Sequence, residues 1–284
     1  MPPKTPPQAP PSSGIPGVRM SSSIPVEPPM ILVVGPSKSG KSAASSSLLG
    51  WRGLDPLVIA FDPTGPDTCT DLGFPVPVVI PENEPSPPDD KDDSLFGKVR
   101  AMLAKLENYF KRGRTPPYNA IITDCASTMV DKLMNDDRRI NPSKDQRRNY
   151  MNVLRQGTEI INRLTNLGVP TIWLAWLQEP FIETEDDKKA PGAKAPKRQV
   201  MGGPMVDGAK LRTLLSGKAH QILAMETFLG APGAQGLCAD GYVRRLHTRP
   251  WDFIAAGGRY SSKLPEPCPP DYAWILDQIM GSRS

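Results

Sequence analysis

From residue 30 onward the chain alternates short, unbroken apolar runs with longer stretches in which apolar residues recur every three or four positions. Unbroken runs of four to eight residues suit strands buried on both faces, and the wider spacing suits helices with one buried face. The runs Met30-Ile31-Leu32-Val33-Val34, Leu57-Val58-Ile59-Ala60-Phe61, Ala120-Ile121-Ile122-Thr123 and 171–177 predict parallel strands, and 76–80 predicts a shorter one. Over 94–111 the residues Leu95, Val99, Met102, Leu103 and Leu106 share a face, which predicts a helix packed on the sheet. A second long helix carries Tyr150, Val153, Ile160, Ile161 and Leu164, with Gly168 placed to stop it and Pro170 just beyond. Helices are also expected after the phosphate-type turn at 43–49, over 127–135, near 209–215 and over 271–280. Further strands are expected near 220–226, 242–248 and 252–256. This alternation predicts an α/β fold: a mostly parallel central sheet flanked by helices, with antiparallel strands near the C-terminus.

Composition adds limits. Residues 1–28 are rich in Pro, Ser and Gly and read as a disordered tail, leaving 29–284 as one domain. The net charge of +4 is too small to argue for nucleic acid unless the charge is locally concentrated. Cys69, Cys125, Cys238 and Cys268 lack zinc-ligand spacing, so reduced thiols are expected rather than a metal site or disulfides. The absence of a long apolar stretch and of a signal-peptide layout points to a cytoplasmic protein with no membrane partner.

The chemistry begins where the first strand ends. Gly35-Pro36-Ser37-Lys38-Ser39-Gly40-Lys41-Ser42 has the G-x-x-x-x-G-K-S pattern of a phosphate-binding loop and runs on into Ala43. In such a loop backbone N–H groups curl around phosphate oxygens, Lys41 reaches the β- and γ-phosphates, and the Ser42 hydroxyl coordinates Mg²⁺. A second oxygen for the metal belongs at the end of a neighbouring buried strand, where Asp124 stands. Hydrolysis also needs a group that orients or deprotonates water; Asp62, Asp67, Asp124 and Gln178 are the candidates near strand ends. Between Asp187 and Asp207 there is no acid, and Lys188, Lys189, Lys194, Lys197 and Arg198 form a basic run in a segment, 179–207, expected to be a mobile loop. Such a run neutralises phosphates without reading sequence, which suits single-stranded DNA. Arg138, Arg139, Lys144, Arg147 and Arg148 form a second basic cluster, and Arg259 after Gly257-Gly258 is a candidate arginine finger toward a neighbouring subunit.

In order and spacing these pieces resemble the RecA-like P-loop ATPases, most closely the small phage-encoded AAA/RecA-type ATP-binding proteins of the single-strand annealing recombinase group. The likeness covers about 29–280: the loop at Gly35–Ser42, Phe61-Asp62, Ile121 to Ser127, 171–178, Gly202 to Lys210, and Arg244-Arg245-Leu246-His247-Thr248. It implies ATP with Mg²⁺, a homo-oligomer, single-stranded DNA as partner, a single-strand-binding or replication protein as a further partner, and, for a phage protein, the host cytoplasm. One departure is chemical: such enzymes place a glutamate two residues after the aspartate of the second strand, and this chain has Thr64 there. The histidine that often ends the strand before the mobile segment is replaced by Trp176 and Gln178. A P-loop kinase acting on a small molecule and a nucleotide-gated interaction protein with little turnover are the alternatives.

Overall fold

The computed structural model describes residues 27–62, 64–88, 90, 93–111, 118–142, 146–183, 198–231, 238 and 240–281. Its elements are, in order, β1 (Met30–Gly35), β2 (Leu57–Ala60), α1 (Thr64–Asp71), β3 (Val78–Val79), α2 (Leu95–Lys111), β4 (Ile121–Asp124), α3 (Ala126–Ile140) and α4 (Gln146–Thr165). They continue with β5 (Thr171–Gln178), β6 (Phe181–Glu183), β7 (Arg198–Val200), β8 (Gly203–Pro204), α5 (Ala209–Lys218), β9 (Gln221–Leu229), β10 (Tyr242–His247), β11 (Gly257–Gly258) and α6 (Tyr272–Met280).

The sheet order is β10-β9-β1-β5-β4-β2-β3. From β9 to β3 every neighbour is parallel, while β10 and β11 join β9 antiparallel. The loop strand β1 and the acid-bearing strand β4 are therefore separated by one inserted strand, β5, the arrangement of a RecA-like P-loop α/β fold. Alternation along β1 divides the core. Leu32 and Val34 pack under α2–α5 with Trp173, whereas Ile31 and Val33 pack with Leu48 and α6 on the other face. That is why the strand reads as continuously apolar: no position in it faces water.

Turn chemistry sets the ends. Gly168 adopts φ 81° beyond α4, as its place before Pro170 predicts, and Asp271 caps α6 by accepting from Trp274 N–H at 2.9 Å. Two expectations need correction, and one helix goes beyond them. Residues 252–256 are not a strand: Trp251 and Ile254 bridge each other across Asp252 and Phe253, both left-handed, in a tight turn. The helix α1 was not legible, because Thr64-Gly65-Pro66 reads as a loop and only tertiary packing of Pro66 and Cys69 keeps it helical. The segment Ala43–Leu48 after the phosphate-type loop is a 3₁₀ rather than an α-helix. Ser46 and Ser47 donate their hydroxyls to the carbonyls of Ala43 and Ala44, at 2.8 and 2.7 Å, a local competition that favours the tighter turn.

Candidate phosphate and metal site

Register brings the predicted groups together. Leu32, Trp173 and Thr123 lie abreast across β1, β5 and β4, so Asp124, one step further, stands beneath the turn that leaves Gly35. Its carboxylate accepts a hydrogen bond from the Ser42 hydroxyl. It is buried, and burial together with the nearby Asp62 pushes its pKa up to about 6, against the Ser42 bond and Lys41, which favour ionisation. The Asp124–Cys125 peptide is cis, and the Cys125 sulfur caps α3 by accepting from Thr128 N–H at 3.5 Å.

Lys41 is equally withdrawn from water, at 7 % exposure. Its Nζ donates to the carbonyls of Gly35 and Pro36 at 2.8 and 2.6 Å and to the Ser39 hydroxyl at 3.3 Å. Desolvation lowers its pKa to about 8. The ammonium's direct hydrogen bonds go only to carbonyls and a hydroxyl, with the Asp124 charge nearby but not bonded to it, so the arrangement favours an incoming anion.

The loop is braced from several directions. Buried Tyr272 of α6 donates its hydroxyl to Lys41 O at 2.9 Å, and Cys69 of α1 donates to Ser42 O at 3.2 Å. Asn119 Nδ2 holds the carbonyls of Leu48, Trp51 and Leu54. On the opposite side Thr227 of β9 and Arg244 of β10 both donate to Ser39 O, at 3.1 and 3.2 Å. These clamps come from residues far apart in sequence, and none carries a local signal that would have announced it.

The loop opens onto a cleft of about 1390 Å³ whose wall includes Ser37 to Ala43 of the loop, Asp62 and Asp124. Leu72 and Phe74 also line it, more than half exposed, and Pro270 faces the same space. Asp62 is partly committed: its Oδ1 accepts from the Thr64 N–H at 3.1 Å and the Thr64 hydroxyl at 2.7 Å. Gly65 packs against Asp124 so closely that a Cβ there would overlap the carboxylate. Asp67 is exposed on α1 and Gln178 lies past Trp176, paired to β8; neither lines the cleft. The Gln178 Oε1 is buried without a hydrogen-bond partner among the described residues.

The donor set suits magnesium. Ser42 and Asp124 offer one hydroxyl and one carboxylate oxygen, which is how Mg²⁺ is held when phosphates and water complete its shell. Among the described residues no group of three or more His, Cys, Asp or Glu forms a self-contained metal cage.

Other expectations fall elsewhere. Lys188, Lys189, Lys194 and Lys197 lie outside the described residues, as does most of the tail 1–28. The backbone of Arg198 begins β7, which pairs antiparallel with β6. Arg259 donates its N–H to His220 O, and His220 donates in turn to Met30 O, so Arg259 sits at the far end of β1 from the loop. None of the four cysteines is in a disulfide, and no described helix is long and apolar enough to cross a membrane.

No known family profile matches the chain, and no curated protein matches it in sequence. Solved structures with a similar arrangement include a KaiC-like protein from the hyperthermophilic archaeon Pyrococcus horikoshii, 11 % identical, with a TM-score of 0.41 over 78 % of each chain. The RadB recombinase is 12 % identical, with a TM-score of 0.38 over 81 % of this chain and 85 % of the other. It is the sheet order of this molecule, and not these distant matches, that makes its fold RecA-like.

Proposed function

We propose that the chain is an Mg²⁺-dependent ATP-binding protein of RecA-like fold that hydrolyses ATP and acts on single-stranded DNA in recombination or replication, in a phage setting. The observation that carries the nucleotide part is the convergence of Lys41, Ser42 and Asp124 at one corner of the sheet, with both charged groups poorly solvated. In this reading Lys41 leaves its carbonyl partners for the β- and γ-phosphates, and Ser42 and Asp124 hold the metal. The nucleotide supplies the phosphoanhydride bond, and Mg²⁺ neutralises the charge that develops on its oxygens. The base extends along the cleft onto Leu72 and Phe74, whose exposure in a single chain otherwise has no use.

DNA contact is assigned to Lys188, Lys189, Lys194, Lys197 and Arg198, the basic run that follows β6 in the sequence. A homo-oligomer fits Arg259, which lies far from its own loop and could serve only a neighbour's. The bond from Thr64 to Asp62 also favours a second reading, a nucleotide-gated protein with slow turnover, because the closest candidate base already has an oxygen engaged.

Calorimetry with Mg-ATP and phosphate release with and without single-stranded DNA at low salt test these readings. Lys41→Ala should weaken Mg-ATP about 100-fold, the scale of a lost charged hydrogen-bond set. DNA-stimulated release supports the first reading, and tight binding without product supports the second. No heat from Mg-ATP overturns both. Phe74→Ala should cost about 3- to 10-fold in ATP affinity if the base stacks there.

A further inference from the structure

Arg244 reaches the loop from outside it and lines the same cleft, and beyond its bond to Ser39 O it has no role so far. It reaches the loop from β10, the antiparallel edge strand, where it is paired in register with Thr227. Its Nε donates to Ser39 O at 3.2 Å, and its side chain lies flat on Gly40: a Cβ at Gly40 would stand 2.7 Å from that Nε and 2.8 Å from Cδ. Gly40 has φ 93°, so the turn both requires glycine and leaves room for the guanidinium. The other end of the fork is occupied by a carboxylate. Nη1 donates to Asp240 Oδ1 at 3.1 Å and Nη2 is paired with Asp240 Oδ2, while Asp240 itself is about half exposed. Both residues line the same cleft as Lys41, Ser42 and Asp124.

A carboxylate and a phosphate present the same pair of oxygens to a guanidinium fork, and here the guanidinium is largely covered while the carboxylate is half exposed, so the carboxylate is the partner that can be exchanged. We infer that Arg244 is a polyphosphate-binding residue, with Asp240 acting as a tethered competitor that occupies its fork until nucleotide phosphate displaces it. This rests on the phosphate-loop reading and deepens it: the loop would be completed in cis by an arginine from the edge strand. Loading would also free the chain at Asp240, between β9 and β10, from its tie to the loop.

Inorganic tripolyphosphate with Mg²⁺ is the discriminating probe, because it carries the phosphates without base or ribose. Its affinity and that of Mg-ATP are measured by calorimetry for the wild-type chain, Lys41→Ala, Arg244→Ala, Arg244→Lys, Asp240→Asn and the Arg244→Ala/Asp240→Asn double variant. Thermal unfolding of each checks that it is folded. Arg244→Ala should weaken both ligands by the same factor, about tenfold, with Arg244→Lys between it and wild type. Asp240→Asn should tighten both about two- to fivefold, and that gain should vanish in the double variant, which is the signature of competition for one guanidinium.

If Arg244→Ala leaves tripolyphosphate unaffected, or Asp240→Asn gives the same change with and without Arg244, the pair only braces the β9–β10 connection and the inference is overturned. If wild type binds and Lys41→Ala does not, that failure leaves the phosphate-loop reading standing. If wild type binds neither ligand, both fall. Should Arg244→Ala prove unfolded, Arg244→Lys and the Asp240→Asn gain decide the question.

Discussion

Two aspartates lie almost equally deep, Asp124 at 6 % exposure and Asp137 at 4 %, and their surroundings are opposite. Asp137, in the last turn of α3, is closed in by amides: Asn141 Nδ2 at 2.9 Å, Asn149 Nδ2 at 2.7 Å, and Asn152 Nδ2 at 3.2 and 3.4 Å from its two oxygens. Neutral donors from the C-cap of α3 and from α4 satisfy it without a ligand. Asp124 has the Ser42 hydroxyl, an adjacent like charge at Asp62, and an open cleft in front of it. A buried carboxylate used for packing is fully bonded; one left under-bonded beside a cavity is destabilising unless something binds there. The molecule shows both solutions within one α/β unit, since β4 ends in Asp124 and α3 follows it directly.

The comparison is broken most directly by exchanging charge for amide. Asp124→Asn should lower Mg-ATP affinity about 100-fold by calorimetry, while Asp137→Ala should leave it within about twofold of wild type. Equal losses in the two variants would mean that Asp124 is no more a ligand than Asp137.

Stability should move the other way. Asp137→Ala removes the carboxylate that accepts from Asn141, Asn149 and Asn152 and should cost about 2–4 kcal/mol in urea unfolding. Asp124→Asn should raise stability, and pH sharpens this. Because burial lifts the Asp124 pKa from 3.8 to about 6, its proton-linked stability is full below about 3.8 and is lost as pH rises through about 6. The Tm advantage of Asp124→Asn over wild type should therefore be near zero at about pH 4, grow to a plateau above about pH 7, and be absent if the group ionises normally.

Lys41 carries the opposite sign. Its pKa is lowered from 10.5 to about 8, so its linked stability is present above about 10.5 and lost as pH falls through about 8. Nucleotide binding wants Lys41 charged and Asp124 ionised, so Mg-ATP affinity should be highest between about pH 6 and 8 and fall on both sides. An affinity that climbs steadily toward pH 9 would remove Lys41 from the site. The smallest effect belongs to Asn152→Ala, whose bonds to Asp137 are the longest of the cluster: about 1 kcal/mol of stability, measured by urea midpoint, with no change in nucleotide affinity.

Much of this was legible. The strand–turn–Lys-Ser pattern marked the loop, and Ile121-Ile122-Thr123-Asp124 marked the acid, because a buried strand and a backbone cradle both leave strict local patterns. Gly168 is readable for the same reason, as local backbone chemistry. Asp67 follows a strand end closely enough to be a candidate, but the turn of α1 carries it outward. Thr227, Tyr272 and Arg244 were not legible as parts of the site. Each meets the loop through contacts between segments about 190 to 230 residues apart. The turn at 251–254 was misread as a strand, since Phe253 and Ile254 have strand composition and only the pairing around Gly202 holds Asp252 and Phe253 left-handed.

What the sequence determined alone was the inventory: which strands are buried on both faces, where the backbone must turn on glycine, and which lysine, serine and aspartate stand at those ends. Periodicity and local sterics act within a few residues and need no partner to be read. The tertiary structure decided the rest. It placed β5 between β1 and β4 so that Asp124 meets Ser42, it withdrew Lys41 and Asp124 from water, and it laid Arg244 over Gly40. Desolvation and charge pairing depend on distance in space, and the chain does not encode that distance at any one position.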